Sequence, residues 1–238
     1  MWRCSVKNAD LKAHYDDGHD YTSGRNEERQ GIIDALDWNG KAVLEVGCGY
    51  GELAEELHSR GANVLAIDYS EDSITKAAHR SRDGLQYACC EHRVIEGRFD
   101  VVVMQGVLEH MDDPNLELNS LRYSKWPKHI VTSSPGFLNP RGYIWMALQE
   151  LFGVPMSLTD LHQISPFDMK EWARNMDATL SWQSVDQDWS HGERTVDDFR
   201  KRLPKAISDA GLVADVSAFM EWFEKTIPYA IESFSIKA

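Results

Sequence analysis

The sequence predicts an α/β fold, an open and mostly parallel sheet with helices on both faces. Three observations carry that prediction. Short apolar runs of strand length, Ala42–Val46, Asn63–Ile67 and Phe99–Met104 among them, alternate with segments of helical period, the pattern left by parallel strands joined through crossover helices. The run at Phe99-Asp100-Val101-Val102-Val103-Met104 is β-branched and nearly continuous, as expected of a central strand buried on both faces. The third observation is Val43-Leu44-Glu45-Val46-Gly47-Cys48-Gly49-Tyr50-Gly51, where an apolar run ends in alternating glycines and a helical pattern starts at Glu52. Glycines allow a tight turn and close approach to a ligand, and the helix behind them points N–H groups at whatever fills it. A nucleotide-type site at the first strand–helix junction follows.

Taken in order, residues 1–40 are polar with scattered aromatics, and Arg25–Leu36 reads as a helix whose apolar stripe is Ile32, Ile33 and Leu36. Gly40 releases the chain into strand one, Ala42–Val46. Strand two, Asn63–Ile67, ends at Asp68, and Ser70 then caps a helix with Glu71 and Asp72 in its first turn. Strand three covers Leu85–Cys89, strand four Phe99–Met104, and strand five His129–Ser133 after a helix around Leu116–Tyr123. Beyond Pro135 the pattern changes. Tyr143–Phe152 reads as a helix inserted after strand five, at the sheet edge where ligands bind, and so as a substrate lid. Pro166 opens another helix, Thr195–Lys225 reads as helices broken near Pro204 and Gly211, and Ile231–Ile236 as an edge strand. The chain is expected to form one domain over 1–238: an N-terminal helical segment (1–40), a core (41–135), a cap insertion (136–165), and C-terminal helices with an edge strand (166–238).

With 38 acidic against 25 basic residues the net charge is −13. Nucleic-acid binders draw most of their affinity from basic contacts to phosphate, so this balance argues against nucleic acid and for a small-molecule partner. No apolar run reaches spanning length and the N-terminus lacks an apolar leader core, which predicts a soluble, cytoplasmic protein, monomeric or homodimeric. Cys4, Cys48, Cys89 and Cys90 lack metal-type spacing, which predicts reduced thiols and assigns no metal.

Asp68 stands about twenty residues past the glycine turn, where a carboxylate can accept both ribose hydroxyls of a nucleoside. NAD enzymes use the same device. The choice is tipped by Phe99-Asp100-Val101-Val102-Val103-Met104-Gln105-Gly106-Val107-Leu108-Glu109-His110-Met111-Asp112-Asp113-Pro114. Together with Glu45–Gly51 and Asp68, this stretch resembles the class I S-adenosylmethionine (SAM) methyltransferases over about residues 40–135. The resemblance implies a Rossmann-like, seven-stranded fold and SAM as cofactor, with S-adenosylhomocysteine as product. It also implies that Gly47, Gly49 and Gly51 approach the methionine part and that Asp68 binds the ribose. Cys89, Cys90 and Glu91 would neighbour the adenine, although no aspartate stands there as in the family. Gln105, Gly106 and Val107 would line the methionyl side, and Glu45, Cys48, Tyr50, Tyr69 and Ser70 complete the expected cofactor cradle.

Arg25-Asn26-x-x-Arg29 looks like a segment of the ubiquinone-biosynthesis O-methyltransferases, with looser echoes at Asn139-Pro140-Arg141, Leu161-His162 and Ser165-Pro166-Phe167. That likeness implies Arg25 as the partner of the SAM carboxylate. Transfer to a hydroxyl requires a proton to leave. His162, beside Asp160 in the inserted stretch, is the first candidate for the base and His110 the second. Glu109, His110 and His162 holding a divalent cation is a weaker alternative. Trp145, Trp172, Trp182 and Trp189, with Phe137 and Tyr143, either wall a substrate pocket or form the core of a helical cap. The expected activity is methyl transfer from SAM to an oxygen, with nitrogen second, of a small molecule. RNA or protein methylation, and SAM or dinucleotide binding without catalysis, stand as alternatives.

Overall fold

A computed structural model describes residues 26–134, 161–162 and 164–181, together with residues 146, 149–151, 200–201, 204–205, 207–208 and 217. The chain divides into two compact units. One comprises Ser5–Pro135 and Leu161–Val185 and carries the sheet. The other gathers Met1–Cys4, Gly136–Asp160 and Asp186–Ala238, and its described positions are helical, Met146 and Gln149–Leu151 within the expected inserted helix.

In the sheet-bearing unit the order is α1 (Asn26–Ile33), β1 (Ala42–Val46), α2 (Glu52–Ser59), β2 (Asn63–Asp68), α3 (Glu71–Ala77), β3 (Leu85–Cys89), β4 (Val101–Gln105), α4 (Pro114–Lys125), β5 (His129–Ser133) and α5 (Pro166–Asn175). The strands are all parallel, in the order β3-β2-β1-β4-β5. Strand order reverses between β1 and β4, so a crevice opens beyond their carboxyl ends, where open sheets of this kind bind ligands. Five strands stand among the described residues where the resemblance implied seven; the edge strand expected at 231–236 lies outside them.

The continuous apolar runs do what their composition requires. Residues 43–46 of β1 and 101–104 of β4 are buried, the last four wholly so. Alternate side chains serve opposite faces. Val43, Val101 and Val103 join Ile32, Ile33, Trp38, Leu53 and Leu57 on one face. Leu44, Val46, Val102 and Met104 join Leu118 and Leu121 on the other, with Trp172 and Met176 packed against them. Trp172 therefore belongs to the core beneath the sheet.

Element ends differ from the sequence expectation by a few residues, for local reasons. Strand four starts at Val101 because Asp100 closes its entrance: the Asp100 carboxylate accepts from the Ala42 N–H at 3.1 Å and from Lys128 Nζ at 2.9 Å. Helix α4 begins earlier than expected, at Pro114, because Asp113 caps it by accepting from the Leu116 N–H at 2.9 Å. Helix α1 stops at Ile33, whose carbonyl is taken by the Trp38 indole at 2.7 Å. Ser70 caps α3 as expected, its hydroxyl accepting from Ser73 N–H at 3.2 Å.

Candidate active site

The turn between β1 and α2 is shaped by what lies against it. Gly47 has φ +73°, and a Cβ there would lie 2.6 Å from Val107 Cγ2; Gly51 has φ +83°, and a Cβ there would lie 2.6 Å from the Tyr87 ring. Both positions combine a left-handed backbone with a neighbour that leaves no room for a side chain. The Gly47 and Cys48 N–H groups donate to the Ile67 carbonyl at 2.8 and 3.0 Å, tying the turn to the end of β2. Asp68 completes that tie. One carboxylate oxygen accepts from Gly49 N–H and the other from Ser70 N–H, both at 2.9 Å.

Beyond these strand ends lies a cavity lined by Glu45, Gly47, Cys48, Gly49, Tyr50, Asp68, Tyr69, Gln105, Gly106, Val107 and His110, all expected from sequence, together with Arg29, Glu52, Leu53 and Ser73. Gly51, Ser70, Cys89, Cys90 and Glu91 do not line it. Gly51 instead receives the Tyr87 hydroxyl on its carbonyl at 3.1 Å, and the Cys90 N–H donates to the Asp68 carbonyl at 2.9 Å. The segment after Cys90 is held to α4, where His92 Nε2 and Arg93 both meet the Glu117 carboxylate, the histidine at 3.0 Å.

Charge in the wall is uneven. Glu45 is 2 % exposed. The Ala54 N–H at the start of α2 donates to its carboxyl, yet Oε2 has no hydrogen-bond partner. Burial, reinforced by the nearby Asp68 and Glu52 carboxylates and only partly offset by Arg29, pushes its pKa up to about 8. Burial, then Glu45 and Asp68, raise the Cys48 thiol well above its ordinary range, which makes it a poor nucleophile. Arg29 lies on α1, its Nε 3.5 Å from Glu56 and its Nη2 donating to Asn26 at 2.6 Å. Arg25 lies outside the described residues. Sequence reading passed over Arg29 as a site residue, although it closes the same Arg25-Asn26-x-x-Arg29 segment.

The two candidate bases are placed differently. His110 lines the cavity, with Nε2 4.0 Å from Glu109 Oε1, and Glu109 is buried. His162 does not line it: its Nε2 meets the Asp112 carbonyl at 3.1 Å, while its backbone N–H and that of Leu161 donate to the Glu109 carbonyl at 3.1 and 2.7 Å. Leu161 and His162 thus anchor their segment beside the cavity. Among the described residues no cluster of His, Cys, Asp and Glu could hold a metal ion, and no helix is long and apolar enough to cross a membrane.

The family profile described as a methyltransferase domain matches residues 44–122. The chain is 32% identical over 155 residues to a protein of Acinetobacter baumannii named ubiquinone biosynthesis O-methyltransferase, covering 59% of this chain and 65% of that one. A Pseudomonas aeruginosa protein of the same name is 30% identical over 159 residues, covering 62% and 66%. The chain thus spans just under two thirds of the length of these relatives. Among solved structures, magnesium protoporphyrin IX methyltransferase from Synechocystis, with S-adenosylhomocysteine bound, superposes with a TM-score of 0.57 at 15% identity. That match covers 76% of this chain and 90% of the other. At such identity the likeness is one of fold, and it agrees with the parallel sheet described above.

Proposed function

We propose that the chain is a class I SAM-dependent methyltransferase that transfers a methyl group from SAM to an oxygen of a small-molecule acceptor. The observation that carries the cofactor half of this reading is the carboxylate wall. A dinucleotide site must offer helix N–H groups to a pyrophosphate. Here the Glu45 carboxyl already takes the Ala54 N–H of α2, and Glu52 and Asp68 face the same cavity. Their carboxylates repel phosphate and favour a ligand bearing cationic sulfur and ammonium groups, against which Glu45 can ionise as well.

The residues present fit that ligand. Asp68, its carboxylate fixed by the Gly49 and Ser70 N–H groups and lining the cavity, is the acceptor suited to a ribose hydroxyl. Glu52 supplies negative charge toward the cationic end, Glu45 is a buried carboxyl that ionises against an incoming cation, and Arg29 is the guanidinium suited to the ligand's carboxylate. When bound, SAM supplies an electrophilic methyl on a sulfonium centre. The chain's contribution is to hold that end against the strand termini and to align the acceptor in line with it. His110, which lines the cavity, takes the acceptor hydroxyl's proton on its imidazole.

Calorimetry with SAM, S-adenosylhomocysteine and NAD tests the cofactor. Heat with the first two and none with NAD is expected; no heat with millimolar SAM overturns the reading. The oxygen acceptor is tested with a panel of hydroxylated and amino-bearing aromatics. On the accepted substrate, His110→Ala should lower kcat about a hundredfold. Methylation confined to amines, or an unchanged kcat, counts against oxygen transfer with this base.

A further inference from the structure

Glu45 is an ionisable residue on the central strand of the sheet. Its partners in register are Ala66 on β2 and Val103 on β4, and both are wholly buried. Register partners stand on the same face of a sheet, so this carboxyl rises between two apolar neighbours. It is 2 % exposed and receives the Ala54 N–H, and its Oε2 has no hydrogen-bond partner among the described residues. A buried carboxylate needs a counter-charge or a full set of donors. Two of the charges facing it, Asp68 from β2 and Glu52 from α2, have the wrong sign. The cation facing it is Arg29 from α1, whose guanidinium also serves Glu56 and Asn26. Cys48 and Tyr87 complete the surroundings. Burial first, then Glu45 itself, raises the pKa of each, so both stay neutral near pH 7.

Glu45 also lines the cavity, together with Arg29, Glu52, Asp68 and His110. In the free chain it is a neutral acid at pH 7, since its pKa stands at about 8. A cation entering the cavity changes that balance, because it stabilises the ionised form alone. The proton then passes to the solvent, and a buried carboxylate remains as the counter-charge. A neutral ligand in the same place leaves the carboxyl protonated.

We propose that Glu45 is the charge selector of the cofactor site: the cationic end of SAM expels the Glu45 proton to solvent, so SAM binds with proton release and a neutral nucleoside binds without it. This rests on the SAM reading above.

The test is calorimetric titration of the 238-residue chain at pH 7 in buffers of differing ionisation enthalpy, which counts the protons released. The ligands are SAM and methylthioadenosine, which keeps adenosine and sulfur but carries no positive charge. Wild type should release roughly half a proton or more to SAM beyond what Glu45→Gln releases, and none to methylthioadenosine. Subtracting Glu45→Gln removes the titration of SAM's own amino group, which falls near the same pH. Between pH 6 and 7 the wild-type affinity for SAM should strengthen roughly threefold more than that of Glu45→Gln. His110→Ala removes the imidazole in the same wall and should keep most of the release, which decides the matter if Glu45→Gln fails to fold. Release that persists in Glu45→Gln or disappears in His110→Ala overturns the proposal, as does equal release with both ligands. A wild type that binds no SAM overturns the cofactor reading and this proposal with it. A wild type that binds SAM without releasing a proton overturns the proposal alone.

Discussion

Glu45 and Asp68 line the same cavity at the ends of neighbouring strands, and they live in opposite surroundings. Asp68 has a backbone N–H on each oxygen. Glu45 is sealed beneath the turn with Oε2 unpartnered, and its pKa is pushed up to about 8. One carboxylate is built into the backbone and the other is held in reserve. The difference shows that two acids in one motif need not do the same work: Asp68 shapes the turn before any ligand arrives, whereas Glu45 gains a full counter-charge only from something cationic entering the cavity.

The largest expected effect breaks the comparison at Glu45. Its folded pKa lies above the ordinary 4.5, so between those values the folded chain binds more protons than the unfolded one. Stability from this group is then fully present below pH 4.5 and is lost as pH rises toward 8. The shift corresponds to a loss on the order of 4 kcal/mol across that window. Glu45→Gln keeps an acceptor for Ala54 N–H and removes the buried charge. Denaturation measured at intervals from pH 4.5 to 9 should show the variant gaining on the wild type with rising pH and exceeding it at pH 8. Parallel curves would mean that Glu45 stays ionised throughout.

The same kind of exchange at Asp68 should have the opposite sign. Asp68→Asn sets an NH2 group against one of two backbone donors, Gly49 N–H or Ser70 N–H. A buried donor left facing a donor costs about 2 kcal/mol, and SAM binding should weaken along with the turn. Urea denaturation at neutral pH reads the first effect and calorimetry the second. A neutral Asp68→Asn would put the two acids back on equal terms.

How far the sequence reached follows from what kind of signal each feature leaves. The central strands β1 and β4 were legible because burial on both faces demands apolar runs, and Ala42–Val46 and His129–Ser133 were placed to the residue. The glycine turn was legible because Val107 and Tyr87 forbid side chains at Gly47 and Gly51, and such constraints mark the sequence directly. Arg29 and Glu28 were passed over for the converse reason. A charged residue on a helix reads as solvated surface, and only the tertiary approach of α1 to the strand ends buries Glu28 against Ser133 and Gln105. His162 outranked His110 in the sequence because it shares a stretch with Asp160. Proximity along the chain says nothing of the turn that points its ring at the Asp112 carbonyl.

The smallest effect sharpens the comparison at Ser70, which serves Asp68 with its backbone and α3 with its side chain. The N–H donates to Asp68 and the hydroxyl accepts from Ser73 N–H. Ser70→Ala leaves the first bond possible and removes the second, so it should cost about 1 kcal/mol, the ordinary loss of an N-cap. Thermal melts of Ser70→Ala, Asp68→Asn and the double variant separate the two roles. If cap and carboxylate act independently, the losses add to within about 0.5 kcal/mol. If α3 must be capped for Ser70 N–H to reach Asp68, the double variant loses clearly less than the sum of the two single losses. In that case the Asp68 environment extends through α3, and its contrast with Glu45 is one between a carboxylate wired to a helix and one that is not.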